Sequence, residues 1–98
     1  MPASGTTENP LLERAETVID GRLPEETVLL RTDTGDSVRL NATGAWLWSQ
    51  LESPLELEEL GRRLAAAYGI PGERARADAG SFARELEQRG FLALGEPG

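Results

Sequence analysis

The chain contains no cysteine, no histidine and no lysine. Without cysteine there is no disulfide, no thiolate nucleophile and no thiolate-ligated metal. The missing histidine removes the commonest general base and metal ligand. The missing lysine removes Schiff-base chemistry and a P-loop. Long apolar runs are also lacking, and none approaches the roughly 20 residues of a membrane span. The opening MPASGTTENP has neither the basic region nor the apolar core of a signal peptide. A soluble, cytoplasmic protein is expected, without membrane contact. Carboxylates alone make a poor case for catalysis in 98 residues, so neither an enzyme nor a cofactor or metal is expected.

The charge that is present is mostly negative: 17 acidic against 10 basic residues, a net charge of −7. Such a field repels phosphates unless the arginines cluster, and they are spread from Arg14 to Arg89. Nucleic acid is therefore disfavoured as a partner. The length allows one domain with a modest core. The composition divides it into a polar N-terminal tail over residues 1–13, a folded unit over 14–94 and a short C-terminal tail over 95–98.

Within the folded unit, ETVID (Glu16 to Asp20) and ETVLLRT (Glu26 to Thr32) are strand-like, with a Gly- and Pro-punctuated connection over Gly21 to Glu25. Asp33-Thr34-Gly35 reads as a hairpin turn. DSVRL (Asp36 to Leu40) then alternates, with Val38 and Leu40 on one face and Ser37 and Arg39 on the other. Asn41 is a good helix N-cap for a helix reaching about Leu51, where Pro54 forbids continuation. Trp46 and Trp48 cannot share a face of it; Trp48 is placed in the core. A second helix, about Glu56 to Tyr68, carries Leu57, Leu60, Leu64 and Tyr68 on one stripe, and Glu56, Glu58 and Glu59 suit the dipole at its start. Gly69 stops it. A third, about Glu73 to Arg89, aligns Ala75, Ala79, Phe82 and Leu86, and Gly90 terminates it. Phe91, Leu92 and Leu94 return as an apolar strand or cap. The order βββααα is α+β and winged-helix-like, a three-stranded antiparallel sheet followed by three helices.

The run Leu29-Leu30, Asp33 to Asp36 and RLNATGAWLW (Arg39 to Trp48), followed by GIPGERARADAGSFARELEQRGFL (Gly69 to Leu92), resembles the PqqD family. The matching positions are Leu40, Asn41, Thr43, Gly44, Trp48, Leu60, Leu64, Tyr68, Asp78, Phe82, Leu86, Gly90 and Phe91, and the resemblance spans roughly Glu16 to Leu94. It implies a recognition element for ribosomally made, post-translationally modified peptides. Such an element is a non-catalytic chaperone that grips the leader of a precursor peptide and presents the core to a modifying enzyme. That enzyme could be a radical SAM enzyme, as in quinone-cofactor synthesis, or a leader protease, as in lasso-peptide synthesis.

By the same resemblance, the leader adds as a strand to the open edge of the third strand, formed by Asp36, Ser37, Val38, Arg39 and Leu40. Its side chains enter a cleft against Ala75, Asp78, Ala79, Phe82, Glu85 and Leu86. Backbone groups then supply affinity and pockets beside Val38 and Leu40 supply specificity, while Arg39, Asp78 and Glu85 fix register. Two readings of Asp36 and Arg39 stand side by side: docking charges, or charges that keep an edge strand from aggregating. Asn41 and Thr43-Gly44 are read as a helix cap and a close approach, and the Arg62-Arg63 and Arg74-Arg76 pairs first as solvated faces and second as contacts for an acidic leader. The rival function is a winged-helix nucleic-acid-binding regulator, against which stand the net charge and the alternating signs of RARAD and ARELEQR (Arg74 to Asp78, Ala83 to Arg89). A third reading, a carboxylate enzyme built on Glu85 and Asp78, has only a two-turn helical spacing behind it.

Overall fold

A computed structural model describes residues 9–23 and 26–96. The strands are β1 (Leu11–Arg14), β2 (Val18–Leu23), β3 (Glu26–Arg31), β4 (Ser37–Leu40), β5 (Leu55–Glu56) and β6 (Leu92–Gly95). The helices are α1 (Ala42–Ser49), α2 (Leu57–Tyr68) and α3 (Gly72–Gln88). The α+β expectation holds, with one addition. The strands form two antiparallel sheets, the expected β2-β3-β4 and a second one ordered β5-β1-β6.

The second sheet corrects the N-terminal boundary. Leu11 to Glu13, assigned to a tail on composition, pair with Gly95, Leu94 and Ala93 of β6, and Leu12 is fully buried. Leu12 also faces Leu55 of β5, so apolar burial stabilises a segment whose neighbours are polar. The same segment caps α2. The Leu57 N–H donates to the Pro10 carbonyl at 2.9 Å and the Glu58 N–H to Asn9 Oδ1 at 2.8 Å. Glu56, at the N-cap position of that helix, makes no capping bond of its own. Of the tails expected over residues 1–13 and 95–98, residues 1–8 and 97–98 lie outside the described residues, and Gly95 pairs with Leu11 as the last residue of β6.

The first sheet follows its alternation. β2 runs past Asp20 to Leu23, because pairing with β3 continues from Val18↔Arg31 to Leu23↔Glu26 and overrides the glycine at position 21. The β3–β4 turn closes with the Gly35 N–H donating to the Arg31 carbonyl (2.8 Å), and Gly35 adopts φ +82° as the turn demands. α1 starts where Asn41 accepts from the Gly44 N–H at 2.8 Å.

One cluster of buried residues unites the layers: Leu12 and Leu29 from the sheets, Leu47, Trp48 and Leu51 from α1 and the turn after it, Leu57, Leu60 and Leu64 from α2, Ala75, Ala79, Ala83 and Leu86 from α3, and Phe91 and Leu92. Trp48 is core, as expected. Tyr68 is not the fourth member of the α2 stripe: it is 45% exposed and meets half-buried Trp46 edge to face, centroids 5.7 Å apart. An amphipathic ring with a polar tip suits this exposed position better than leucine does. α2 and α3 approach closely, such that a Cβ on Gly61 would lie 3.1 Å from the Arg76 Cα. No helix among the described residues is long and apolar enough to cross a membrane.

Candidate peptide-binding groove

β4 is an edge strand, bonded to β3 on one side. Which of its main-chain groups face the open side follows from the ladder. The Arg31 N–H donates to the Asp36 carbonyl at 2.8 Å, so Arg31 and Asp36 form a hydrogen-bonded pair. Such pairs alternate with non-bonded ones along an antiparallel ladder, and the register continues through Leu30↔Ser37, Leu29↔Val38, Val28↔Arg39 and Thr27↔Leu40. Val38 and Leu40 therefore spend their N–H and C=O on β3. Ser37 and Arg39 turn theirs outward.

Side chains alternate in the opposite sense. Leu40 is buried and Val38 half-buried on the inner face, whereas Ser37 and Arg39 are exposed, Arg39 Nε lying 3.8 Å from Glu26 Oε2. Between β4 and α3 this leaves a groove of about 320 Å³. Its floor is made of the buried Leu40, Gly44, Leu47 and Leu86; half-buried Val38, Thr43 and Phe82 form the walls; exposed Arg39, Asn41, Asp78 and Glu85 form the rim. Asp78 leans on Arg74 of its own helix at 3.8 Å. A larger hollow, about 620 Å³, lies on another side of α3 among Pro10, Leu57, Arg76 and Arg84. β4 does not border it; Leu94, on the β6 edge of the second sheet, does.

Of the residues expected to bind peptide, Val38, Arg39, Leu40, Asp78, Phe82, Glu85 and Leu86 meet around this groove. Asp36 and Ser37 lie at the exposed start of the edge. Ala75 and Ala79 are fully buried in the core and line no part of the groove. The reason is the split of α3 into two stripes. Ala75, Ala79, Ala83 and Leu86 face the core, and Asp78, Phe82 and Glu85 face β4. Spacings of three and four along α3 fit both stripes. Four lining residues lie outside the expected set: Asn41, Thr43 and Gly44, read as local helix-start devices, and Leu47. The close approach expected at Gly44 is made to the end of β4, since a Cβ there would sit 3.4 Å from the Leu40 Cβ.

The far end of the groove is held by charge. Arg31 grips the turn carboxylate of Asp33 through Nε (3.2 Å) and Nη2 (2.8 Å), and its Nη1 donates to the Arg89 carbonyl at 3.1 Å. The side-chain bonds from Arg31 hold the Asp33 carboxyl below the ordinary carboxylate range, and those to Asp33 raise Arg31. The strand hairpin is thus tied to the end of α3, where Gly90 at φ +85° leaves room for the Arg31 guanidinium.

The sequence profile of Coenzyme PQQ synthesis protein D (PqqD) matches residues 26–92, from β3 to the start of β6. The chain belongs to the PqqD family. The resemblance carried by the LNATG helix start (Leu40 to Gly44) and the Arg89-Gly90-Phe91 close is borne out. No curated protein matches the chain. Among solved structures, this PqqD-family chain is similar to TbiB1, solved in complex with the TbiA(beta) leader peptide, at 29% identity and a TM-score of 0.75, covering 82% of this chain and 93% of TbiB1. It shares its fold with a lasso peptide synthetase B1 complexed with the leader peptide, at 19% identity and a TM-score of 0.72, covering 84% and 96% of the two chains.

Proposed function

We propose that this PqqD-family chain is a leader-peptide-binding subunit without catalysis of its own. It captures a ribosomally made precursor peptide in the cytoplasm and presents it to a modifying enzyme, either a leader protease or a radical SAM enzyme. The observation that carries the reading is the pairing of an outward strand edge, Ser37 and Arg39, with an apolar groove between β4 and α3. An extended peptide laid along β4 gains main-chain hydrogen bonds irrespective of sequence, while alternate side chains drop towards Val38, Leu40, Leu47 and Phe82. Asp78 and Glu85 on the α3 rim favour basic peptide side chains and disfavour acidic ones, which sets orientation more than affinity. The likeness to TbiB1, at 29% identity and along 82% of the chain, supports the same conclusion.

The test is capture from an extract of the producing organism with tagged protein, followed by mass spectrometry of retained peptides and proteins. A short precursor peptide retained together with a protease or a radical SAM enzyme is the expected result and names the pathway. Retention of nucleic acid, or of nothing above background, overturns the proposal and returns the winged-helix regulator to consideration.

A further inference from the structure

Of the outward main-chain groups of β4, one is already occupied. Arg89 Nη2 donates to the Ser37 carbonyl at 3.1 Å, across 52 residues of sequence. Arg89 follows Asp78, Phe82 and Glu85 at spacings of four, three and four, so it continues the groove-facing stripe of α3 one step past the helix end. Its backbone is anchored, because the Arg89 carbonyl accepts from Arg31 and the Arg89 N–H donates to the Glu85 carbonyl at 3.2 Å. The guanidinium is thereby held over the Ser37 end of the edge.

We propose that Arg89 sets the extent of strand addition. It closes the Ser37 end of the β4 edge, so an added peptide pairs main chain to main chain at Arg39 and stops there. The inference rests on the leader-binding reading above. A peptide residue opposite Ser37 would need the Ser37 carbonyl as acceptor for its own N–H, and a charge-assisted donor is there first. The same contact blunts an exposed edge against pairing with another copy. Arg89 is in this sense a specificity-determining residue: it limits how many leader residues the edge reads.

The test compares wild type with Arg89→Ala and Arg89→Lys. The substitutions leave the main-chain carbonyl that Arg31 uses, and Arg89 is exposed, so the fold is retained; circular dichroism checks this. The probes are a fluorescein-labelled synthetic copy of the precursor captured above and the TbiA(beta) leader peptide, with amide hydrogen exchange read at Ser37 and Arg39. In wild type, peptide slows exchange at Arg39 and leaves Ser37 unchanged. In Arg89→Ala both amides slow and affinity tightens about three- to tenfold, the worth of one added hydrogen bond. Arg89→Lys, which keeps a donor, stays near wild type. Equal protection of Ser37 in wild type, or unchanged or weaker affinity in Arg89→Ala, overturns the end-stop. A peptide that binds without protecting Arg39 instead overturns strand addition itself, a separate result.

Discussion

The Trp48 indole N–H donates to Asp20 Oδ2 at 2.9 Å, joining α1 to β2. Arg14 of β1 completes the knot. Its guanidinium stacks 4.4 Å from the Trp48 ring centroid and donates through Nη2 to the Trp48 carbonyl at 2.6 Å, while Nη1 stands 3.9 Å from Asp20. One buried tryptophan therefore fastens both sheets to α1. Asp20→Ala is expected to destabilise the fold by about 1–2 kcal/mol, the range for losing a hydrogen bond to a charged group at a half-exposed site. Asp20→Asn keeps an acceptor for the indole and recovers most of that loss, because the longer contact to Arg14 contributes little. Urea denaturation followed by tryptophan fluorescence measures both, and equal losses in the two variants would assign the effect to the ion pair instead.

Gly90 carries two demands at once. Its φ of +85° costs a side-chain-bearing residue about 1–2 kcal/mol, and a Cβ there would collide with the Arg31 guanidinium. Gly90→Ala is expected to cost about 2 kcal/mol or more. In an Arg31→Ala background the collision is gone and only the backbone penalty remains, so a double-mutant cycle should show the two substitutions to be non-additive. Additive losses would mean that Arg31 moves aside freely.

The carboxylates of Asp33 and Glu59 are expected to contribute to the pH dependence of stability on the acid side, modestly because both are exposed to solvent. Asp33 is held below the ordinary range by the side-chain bonds from Arg31, and Glu59 by those from Arg63 and Arg62, at 3.0 Å each. Both folded pKa values lie below the unfolded ones, so their contribution is complete above the unfolded pKa and is lost as pH falls through the folded value. Urea midpoints are expected to hold from neutral to about pH 5 and to decline below about pH 4. The Asp33→Asn, Glu59→Gln double variant should decline less steeply; an unchanged acid limb would place the proton uptake on other carboxylates.

Local devices were legible in the sequence and distant ones were not. Asn41, Gly35, Gly69 and Gly90 act on their own turns or helix ends, and each does what its position implied. The β5-β1-β6 sheet was invisible because its strands are two to four residues long and meet partners more than forty residues away. Asn9 as a cap for α2 belongs to the same class, since it acts 49 residues from Glu58. At the groove, the alternation of Val38 and Leu40 was readable, but the division of α3 was not. Spacings of three and four admit both the core stripe of Ala75, Ala79, Ala83 and Leu86 and the groove stripe of Asp78, Phe82 and Glu85. Only the packing partner on each side separates them. Arg89 could have been found by extending the second stripe four residues beyond Glu85.

That division predicts different consequences for neighbouring apolar residues. Leu86 is buried, and Leu86→Ala should cost about 2–5 kcal/mol of stability as a core truncation. Phe82 is half-buried on the groove wall. Phe82→Ala should cost less than the about 3–5 kcal/mol typical of a buried phenylalanine, yet weaken binding of the captured precursor at least tenfold. Denaturation and anisotropy titrations on the same samples compare the two. A Phe82→Ala protein that binds normally would show that the peptide does not use this wall.

Proline substitution distinguishes the two kinds of residue on β4. The Val38 N–H points at Leu29, so Val38→Pro breaks the β3–β4 ladder and should destabilise the hairpin whether or not peptide is present. The Arg39 N–H points outward, and proline is tolerated on an edge strand where its missing donor faces solvent. Arg39→Pro should therefore leave the urea midpoint close to that of wild type while weakening precursor binding about tenfold, as expected when strand addition loses a main-chain bond and its neighbour's geometry. Arg39→Ala, which removes the charge and keeps the N–H, controls for the side chain and should retain most of the affinity. If Arg39→Ala and Arg39→Pro lose affinity equally, the arginine side chain rather than the strand edge holds the peptide. If neither loses any, the peptide lies elsewhere than β4.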